Sequence, residues 1–177
     1  MSNNTESFDI VDENNLPLGN TKSRSEVHTS KNYWHRATHI WIVNEKNEIL
    51  CQQRSMIKDV FPGKWQSFFG GHLKAGQTYK DNAIEELKEE LGLNIRENNL
   101  QCVHVLKSEP AKHFGQVYIL RWDGNTDDLH FDDNEVKSVK WFTIDALKQR
   151  MLTGDFCNKL DEKVKETLSS YAATKRD

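Results

Sequence analysis

The chain has 177 residues, and its 24 Lys and Arg nearly balance its 27 Asp and Glu, for a formal net charge of -3. A chain of this length can bury a core without disulfides or a structural metal, so we expect one domain over residues 1–177. The near-neutral charge and the lack of a basic block argue against nucleic acid or an anionic membrane as the main partner.

The three cysteines, Cys51, Cys102 and Cys157, lie far apart and form no C-x-x-C pair. This pattern is typical of reduced thiols rather than of a disulfide framework or a zinc site. The first residues lack the basic start and the apolar core of a signal peptide, and no apolar run approaches the roughly 18 residues that a membrane helix needs. We therefore expect a cytoplasmic protein.

Strands are predicted where β-branched and aromatic residues cluster between turn-forming residues. The continuous apolar end of HRATHIWIV indicates a strand buried on both faces, and the turn Glu45-Lys46-Asn47 predicts a hairpin to the strand that follows it. In chain order the predicted strands are Phe8–Asp12, His35–Val43, Glu48–Gln53, Gln101–Lys107, Gln116–Trp122 and Val136–Phe142.

Three segments have helical periodicity, and the clearest runs from about Thr78 to Leu91. Thr78 and Asp81 are placed as a capping pair, and Gly92 is placed as the C-terminal stop. A short helix is predicted after Thr143 and a last one over about residues 158–172. Their apolar stripes are Ile144, Leu147 and Met151 in the first, and Leu160, Val164, Leu168 and Tyr171 in the second. Together the elements predict an α/β fold in which a mixed sheet packs between helices.

Glu86, Glu89 and Glu90 are spaced i, i+3 and i+4 on the clearest helix, so they share one side of it. Like charges at this spacing repel by about 0.2–0.5 kcal/mol per pair. A bound Mg²⁺ or Mn²⁺ would offset this repulsion, because these hard cations prefer carboxylate oxygens. The alternative is a solvated acidic face on which Lys80 or Lys88 relieves the repulsion.

Glycines frame the same helix. Gly70-Gly71 precedes it by a short loop, Gly76 lies just ahead of its start, and Gly92 ends it. Glycine permits positive φ and close approach of the backbone, and N–H groups ahead of a helix N-terminus suit an anion. The frame therefore favours a binding function, with Gly71 as a candidate substrate-binding position.

The segment GGHLKAGQTYKDNAIEELKEELGL, residues 70–93, resembles the Nudix box, G-x5-E-x7-R-E-U-x-E-E-x-G-U, in which U is aliphatic. Gln77 and Glu85 depart from the box: they replace a Glu and an Arg that pair in the family and brace the loop against the helix. The resemblance predicts a Nudix fold with the metal-facing glutamates intact and that brace removed. Seven of nine specified positions match, at Gly71, Glu86, Leu87, Glu89, Glu90, Gly92 and Leu93.

The resemblance also implies a hydrolase that uses water to cleave a diphosphate bond in a small nucleoside-diphosphate-linked or related substrate. Glu86, Glu89 and Glu90 would hold Mg²⁺, with Mn²⁺ as the alternative. The catalytic base would be Glu89, Glu90 or Glu135, which precedes the last predicted strand. A solvated charge at the strand edge remains the alternative for Glu135.

Cations that contact substrate phosphates are expected at Arg54, Lys58 and Lys64, which match positions where relatives carry such residues. A guanidinium offers bidentate contact, whereas the lysines add point charge. Trp65 and Phe68 could stack a ring of the substrate, or they could belong to the core.

Two further stretches, SEVHTSKNYWHRATHIWIVN and QQRSMIKDVFPGKW, resemble the branch that groups Nudix hydrolases with isopentenyl-diphosphate isomerases. Isomerases bind a metal through histidines at the places of His28, His35 and His72, which predicts a second metal site. The alternative is local hydrogen bonding, with His28 in a loop and His35 at a strand start. Isomerases also need a cysteine where this chain has Gly70, and glutamates near its His113-Phe114-Gly115-Gln116, so isomerase activity is disfavoured.

Two other functions stay open beside the hydrolase: an isomerase-like enzyme, and a non-catalytic nucleotide-binding module. Gln77 and Glu85 motivate the binding module, whereas the intact glutamates argue against it, because a pure binder needs no carboxylate cluster. Relatives often form homodimers, but the sequence fixes neither the oligomeric state nor the substrate.

Overall fold

The computed structural model describes residues 6–58, 60–131 and 135–174, with side chains described up to residue 170. Within these ranges the chain forms eight strands and four α-helices. The strands are β1 Ser7–Val11, β2 Pro17–Ser23, β3 His35–Val43, β4 Ile49–Arg54, β5 Trp65–Gln66, β6 Leu100–Ser108, β7 His113–Arg121 and β8 Val136–Phe142. The helices are α1 Arg24–Ser30, α2 Tyr79–Leu91, α3 Ile144–Leu152 and α4 Glu162–Thr174.

Six strands form a mixed sheet in the order β5-β4-β3-β7-β6, and β8 pairs with β4. The pair β3–β7 is parallel and runs in register from His35 opposite His113 to Val43 opposite Arg121. The other pairs of this sheet are antiparallel, including the predicted hairpin β3–β4. β1 and β2 form a separate antiparallel hairpin.

The central strand β3 is buried on both faces, as its apolar end predicts. Ile40 and Ile42 pack in a core that includes Leu87 of α2. Trp41 and Val43 face the opposite core, which includes residues of α3 and α4. Burying an aliphatic or aromatic side chain of this size contributes roughly 1.5–3 kcal/mol, so both helical layers are fixed by apolar contact. The predicted architecture, a mixed sheet between helices, is confirmed.

The predicted strands and helices are confirmed with shifts of a few residues, and α4 shows the largest shift. It begins at Glu162 rather than near residue 158, because Asp161 accepts the N–H groups of Lys163 and Val164. Asn158 instead accepts the N–H of Ser67, which ties this segment to β5. The predicted stripe residues Val164 and Leu168 are buried, whereas the side chain of Tyr171 lies outside the described residues.

The β1–β2 hairpin supports the loop that leads into α2. The N–H of Ala75 donates to Ser7 O at 2.8 Å, and the N–H of Gly76 donates to Asp9 Oδ2 at 2.7 Å. The hairpin therefore fixes the start of the acidic helix from outside the main sheet. None of the helices in the described ranges has the length and apolar character to cross a membrane.

Candidate active site

The caps of α2 determine where the three glutamates point. Thr78 accepts the N–H of Asp81, and Asp81 accepts the N–H of Thr78, which completes the predicted capping box. Gly92 ends the helix with φ of 69°. A cap of this type stabilises a helix by about 1 kcal/mol, so the side of α2 that carries the glutamates is held firmly.

Glu86, Glu89 and Glu90 lie beside the glycine loop at different depths. Glu90 is only 6% exposed and accepts the N–H of Gly70 at 3.0 Å. Glu86 lies directly under Gly71, where a Cβ atom would overlap its carboxylate. Glu89 is the most exposed of the three, and its carboxylate lies 3.7 Å from the Lys74 ammonium. The loop can approach the helix this closely because position 71 has no side chain.

Burial, together with the negative charges of Glu89 and Glu135, raises the pKa of Glu86 from 4.5 to about 7. Like charges and desolvation both penalise the ionised form. A carboxylate cluster with this penalty, made of hard oxygen donors, fits a divalent cation such as Mg²⁺ or Mn²⁺. The residues present are therefore suited to hold the predicted metal.

The predicted loss of the brace at positions 77 and 85 is wrong. The side-chain amide of Gln77 donates to Glu85, and the Lys74 ammonium donates to the same carboxylate at 2.8 Å. Gln77 also accepts the N–H of Lys74 at 2.8 Å. Hydrogen bonding and the charge of Lys74 hold the pKa of Glu85 below its ordinary value. The loop is thus tied to α2 by an amide and an ammonium group acting on one carboxylate.

Two predicted cations, Arg54 and Lys58, lie in or beside the loop that follows β4. Arg54 donates to Val60 O at 3.0 Å and to Gln66 Oε1 at 2.8 Å. Lys58 forms an ion pair with Glu135. Because the charge of Glu135 also acts on Glu86, this ion pair connects the loop to the glutamate cluster. Lys58 and Glu135 are therefore brought near the box, whereas the guanidinium of Arg54 is held by Val60 and Gln66.

Lys64 is directed elsewhere. Its ammonium donates to Gly154 O at 2.7 Å, at the turn after α3. There it lines a shallow cleft with Trp65, Arg150 and Asp155. Its contact with substrate phosphate stays a prediction.

The aromatic candidates Trp65 and Phe68 pack against the core. Phe68 stacks on His39 with ring centroids 4.3 Å apart, and Trp65 meets the edge of Phe142 at 5.3 Å. Both belong to the partly buried shell of the core that covers Trp41. These contacts agree with the core interpretation.

His28, His35 and His72 converge, as the second metal site requires. One ring nitrogen from each lies within 4.8 Å of those of the other two. His28 lies in α1 rather than in a loop, which corrects its predicted setting. His35 begins β3, and His72 is brought beside that strand by a bridge to Ala37.

The histidine cluster contains a buried nitrogen without a protein partner. His35 is 2% exposed, and its Nδ1 lies 3.1 Å from Tyr33 O, whereas its Nε2 has no hydrogen-bond partner among the described residues. The Nε2 of His113, across the β3–β7 pair, is also buried and has no partner in the described part of the chain. Burial lowers the pKa of His28, His35 and His72, which favours the neutral imidazole, the form that binds metal.

Three residues of the site were missed from the sequence. Lys74 and Asn82 contact box residues, and His113 lies beside the histidine cluster with its ring 5.8 Å from that of His35. Asn82 had a detectable signal, because asparagine is disfavoured inside a helix and therefore suggests a specific contact. The roles of Lys74 and His113 depend on tertiary contacts that no local pattern gives.

The sequence profile of the NUDIX domain matches residues 33–158. The chain is 34% identical over 140 residues to Nudix hydrolase 3 of Arabidopsis thaliana, covering 78% of this chain and 16% of the plant protein. It is 30% identical over 165 residues to an isopentenyl-diphosphate delta-isomerase of Gibberella zeae, covering 80% of this chain and 64% of the isomerase. This chain thus spans less than two thirds of the length of either relative.

The fold also resembles a solved structure, DR0079 from Deinococcus radiodurans, with a TM-score of 0.72 and 23% identity. That match covers 93% of this chain and 98% of the other. The matched profile includes the whole glycine-framed helix and its three glutamates, so the chain belongs to the Nudix hydrolase family.

Proposed function

We propose that this chain is a divalent-cation-dependent hydrolase that cleaves the diphosphate bond of a small nucleoside-diphosphate-linked or related molecule. The observation that carries the proposal is the convergence of Glu86, Glu89 and Glu90 beside a glycine loop that a side chain would obstruct. Phosphoryl transfer needs positioned charge and an oriented water rather than a protein nucleophile, which this set of side chains can supply.

Glu86, Glu89 and Glu90 would hold Mg²⁺, with Mn²⁺ as the alternative, and the bound cation neutralises phosphate charge and makes water more acidic. Glu90 keeps its orientation through the N–H of Gly70. Lys58, which pairs with Glu135, and Arg54, at the end of β4, would contact phosphate oxygens. Glu89, Glu90 or Glu135 would accept the proton of the attacking water.

The backbone at position 70 argues against the isomerase alternative. Gly70 has φ of 119°, and a Cβ there would overlap the carbonyl oxygen of Thr38. The loop therefore has no room for the cysteine that an isomerase would carry at this position. The ordered brace at Gln77 and Glu85 removes the motive for the binding-module alternative.

We also propose that His28, His35 and His72 hold a second metal ion. Imidazole nitrogens suit Zn²⁺ and related transition metals rather than Mg²⁺, so the two sites differ in the ion they select. The buried Nε2 of His35, which no described residue hydrogen-bonds, supports this proposal, because such an atom costs free energy unless something binds it.

Hydrolysis is tested with nucleotide sugars, dinucleoside polyphosphates, NADH, coenzyme A and nucleoside triphosphates in the presence of Mg²⁺. We expect phosphate-containing products from at least one compound, and a loss of rate of roughly 10²-fold or more in Glu89→Gln, as for the loss of other preorganised electrostatic groups. Glu166→Gln, at an exposed position of α4, is the matched control and should keep the wild-type rate. Equal rates for Glu89→Gln and wild type would remove the cluster from the reaction.

The second metal site is tested with Co²⁺, whose visible spectrum reports imidazole ligation, on protein freed of metal. Wild type should bind one Co²⁺ with a rise in melting temperature, since an ion that binds only the folded state stabilises it. His35→Gln should lose this binding, whereas His130→Gln, an exposed histidine, should retain it. Co²⁺ binding that survives in His35→Gln would place the ion elsewhere.

A further inference from the structure

Asn82 is a fully buried polar residue in the first half of α2, one turn before Glu86. Its side-chain nitrogen faces three acceptors: His72 O at 3.2 Å, Glu86 Oε1 at 3.4 Å and Gln77 Oε1 at 3.5 Å. One amide group therefore touches the loop backbone, the loop brace and the carboxylate of a candidate metal ligand.

The orientation of this amide is determined by its neighbours. Carbonyl and carboxylate oxygens accept hydrogen bonds and cannot donate them, so the nitrogen of Asn82 must face them. Its oxygen accepts the hydroxyl of Thr38 at 2.5 Å, and Thr38 is fully buried in β3. The central strand thus sets the direction in which Asn82 donates.

A neutral donor has a specific advantage at this place. An ammonium group beside Glu86 would compete with a cation for the carboxylate, whereas a long hydrogen bond from an amide orients the carboxylate and leaves its charge available. The contact to His72 O also fixes the distance between the helix and the loop. Without it, Glu86 could turn away from Glu89 and Glu90.

We propose that Asn82 is a positioning residue, which holds the Glu86 carboxylate in place for a divalent cation by tying it to the glycine loop and, through Thr38, to β3. The inference rests on the proposed function, because it assigns Glu86 to the cation. It adds a structural requirement outside the three glutamates and predicts that cation affinity depends on two uncharged residues.

The test compares Mn²⁺ binding by calorimetry, without substrate, in wild type, Asn82→Leu and Thr38→Val. Leucine matches the size of asparagine and donates nothing, so Mn²⁺ affinity should fall by about tenfold or more. Thr38→Val removes the orienting hydroxyl without changing α2, and affinity should fall in the same direction. Because both act through one amide, the double variant should be no worse than Asn82→Leu.

Asn158→Leu is the matched control, since Asn158 also ties a buried segment to its neighbour, at Ser67, and lies apart from the box. It should lower stability and leave Mn²⁺ affinity unchanged. In hydrolysis assays Asn82→Leu should raise the Mg²⁺ concentration for half-maximal rate and lower kcat, with little change in KM for the substrate. If Asn82 only stabilised the fold, its loss would not change the Mg²⁺ requirement and kcat while leaving KM for the substrate unchanged.

Wild-type Mn²⁺ affinity in folded Asn82→Leu would overturn the proposal. If Asn82→Leu does not fold, wild-type affinity in Thr38→Val would overturn it instead. A wild-type chain that binds Mn²⁺ but hydrolyses no substrate would contradict the proposed function alone, and the comparison of affinities would still decide the role of Asn82. A wild-type chain that binds no Mn²⁺ would overturn both.

Discussion

At the residue scale, Glu86 combines burial with negative neighbours. Its pKa of about 7 means that, without a cation, much of this carboxyl is protonated at neutral pH. The unfolded chain has an ordinary glutamate with a pKa near 4.5. Between these two values the folded state binds more protons than the unfolded state, so stability falls as pH rises.

We therefore expect the metal-free protein to lose up to about 3 kcal/mol of unfolding free energy between pH 4.5 and pH 7 through Glu86 alone. Glu86→Gln cannot ionise and should lack this part of the pH dependence. Urea unfolding at pH 5 and pH 8, with a chelator present, measures the difference.

Mg²⁺ should restore the lost stability in wild type at pH 8 and should not do so in Glu86→Gln, because the ion stabilises the ionised carboxylate. Glu166→Gln should behave as wild type in both experiments. If the free energy of unfolding depended on pH in the same way in Glu86→Gln and in wild type, another group than Glu86 would bind the extra proton of the folded state.

That the three glutamates share one side of the helix followed from their spacing, whereas their assignment to a metal came from the glycine frame and the resemblance to the Nudix box. Asn82 was not found, because an asparagine inside a helix indicates only that a specific contact exists, and the sequence does not show that its partners are a loop carbonyl and a threonine from β3. The histidine cluster was found through resemblance, and the sequence could not place His113 near it. Spacing within one helix can be predicted from the sequence, whereas contacts between residues of different elements become visible only in the folded structure.

At the element scale, the brace between α2 and the preceding loop is built from other side chains than the Glu and Arg of the box. Gln77 donates to Glu85, and Lys74 adds a positive charge to the same carboxylate. Substituting either position alone should break this arrangement. Substituting both toward the box pattern should create a new ion pair.

We expect Gln77→Glu to destabilise the protein by about 1 kcal/mol, because it places two carboxylates together. Glu85→Arg should cost a similar amount, because it faces the Lys74 ammonium. The double variant should recover at least about 0.5 kcal/mol relative to the sum of the single changes. Urea unfolding of the four proteins at pH 7 gives this coupling energy, and strictly additive effects would show that positions 77 and 85 do not interact.

Elements with strong periodicity were predicted well, and short or exposed ones were not. Helix α2 has caps and an apolar stripe, and its predicted bounds agree with the observed ones to within one residue. Helix α1 has seven residues, of which Val27 is buried, and such a helix gives no periodic signal. Strand β2 is exposed over most of its length, and β5 has only two residues, so neither shows the alternation of a half-buried strand.

At the scale of the whole molecule, the parallel pairing of β3 with β7 determines which distant residues meet. It places His35 opposite His113, although almost half the chain separates them. Parallel partners depend on crossover connections rather than on local turns, so sequence patterns do not reveal their register. The sequence therefore predicted both strands and not the pairing that brings His113 beside the histidine cluster.

β3 contributes to both candidate sites, with His35 in the histidine cluster and Thr38 beneath Asn82 and Gly70. If the register of this strand shifted by one residue, the side chains of His35 and Thr38 would both point to the opposite faces of the sheet. A mutation that loosens the pairing of β3 with β7 should consequently impair both candidate metal sites together, even where the altered residue belongs to neither site.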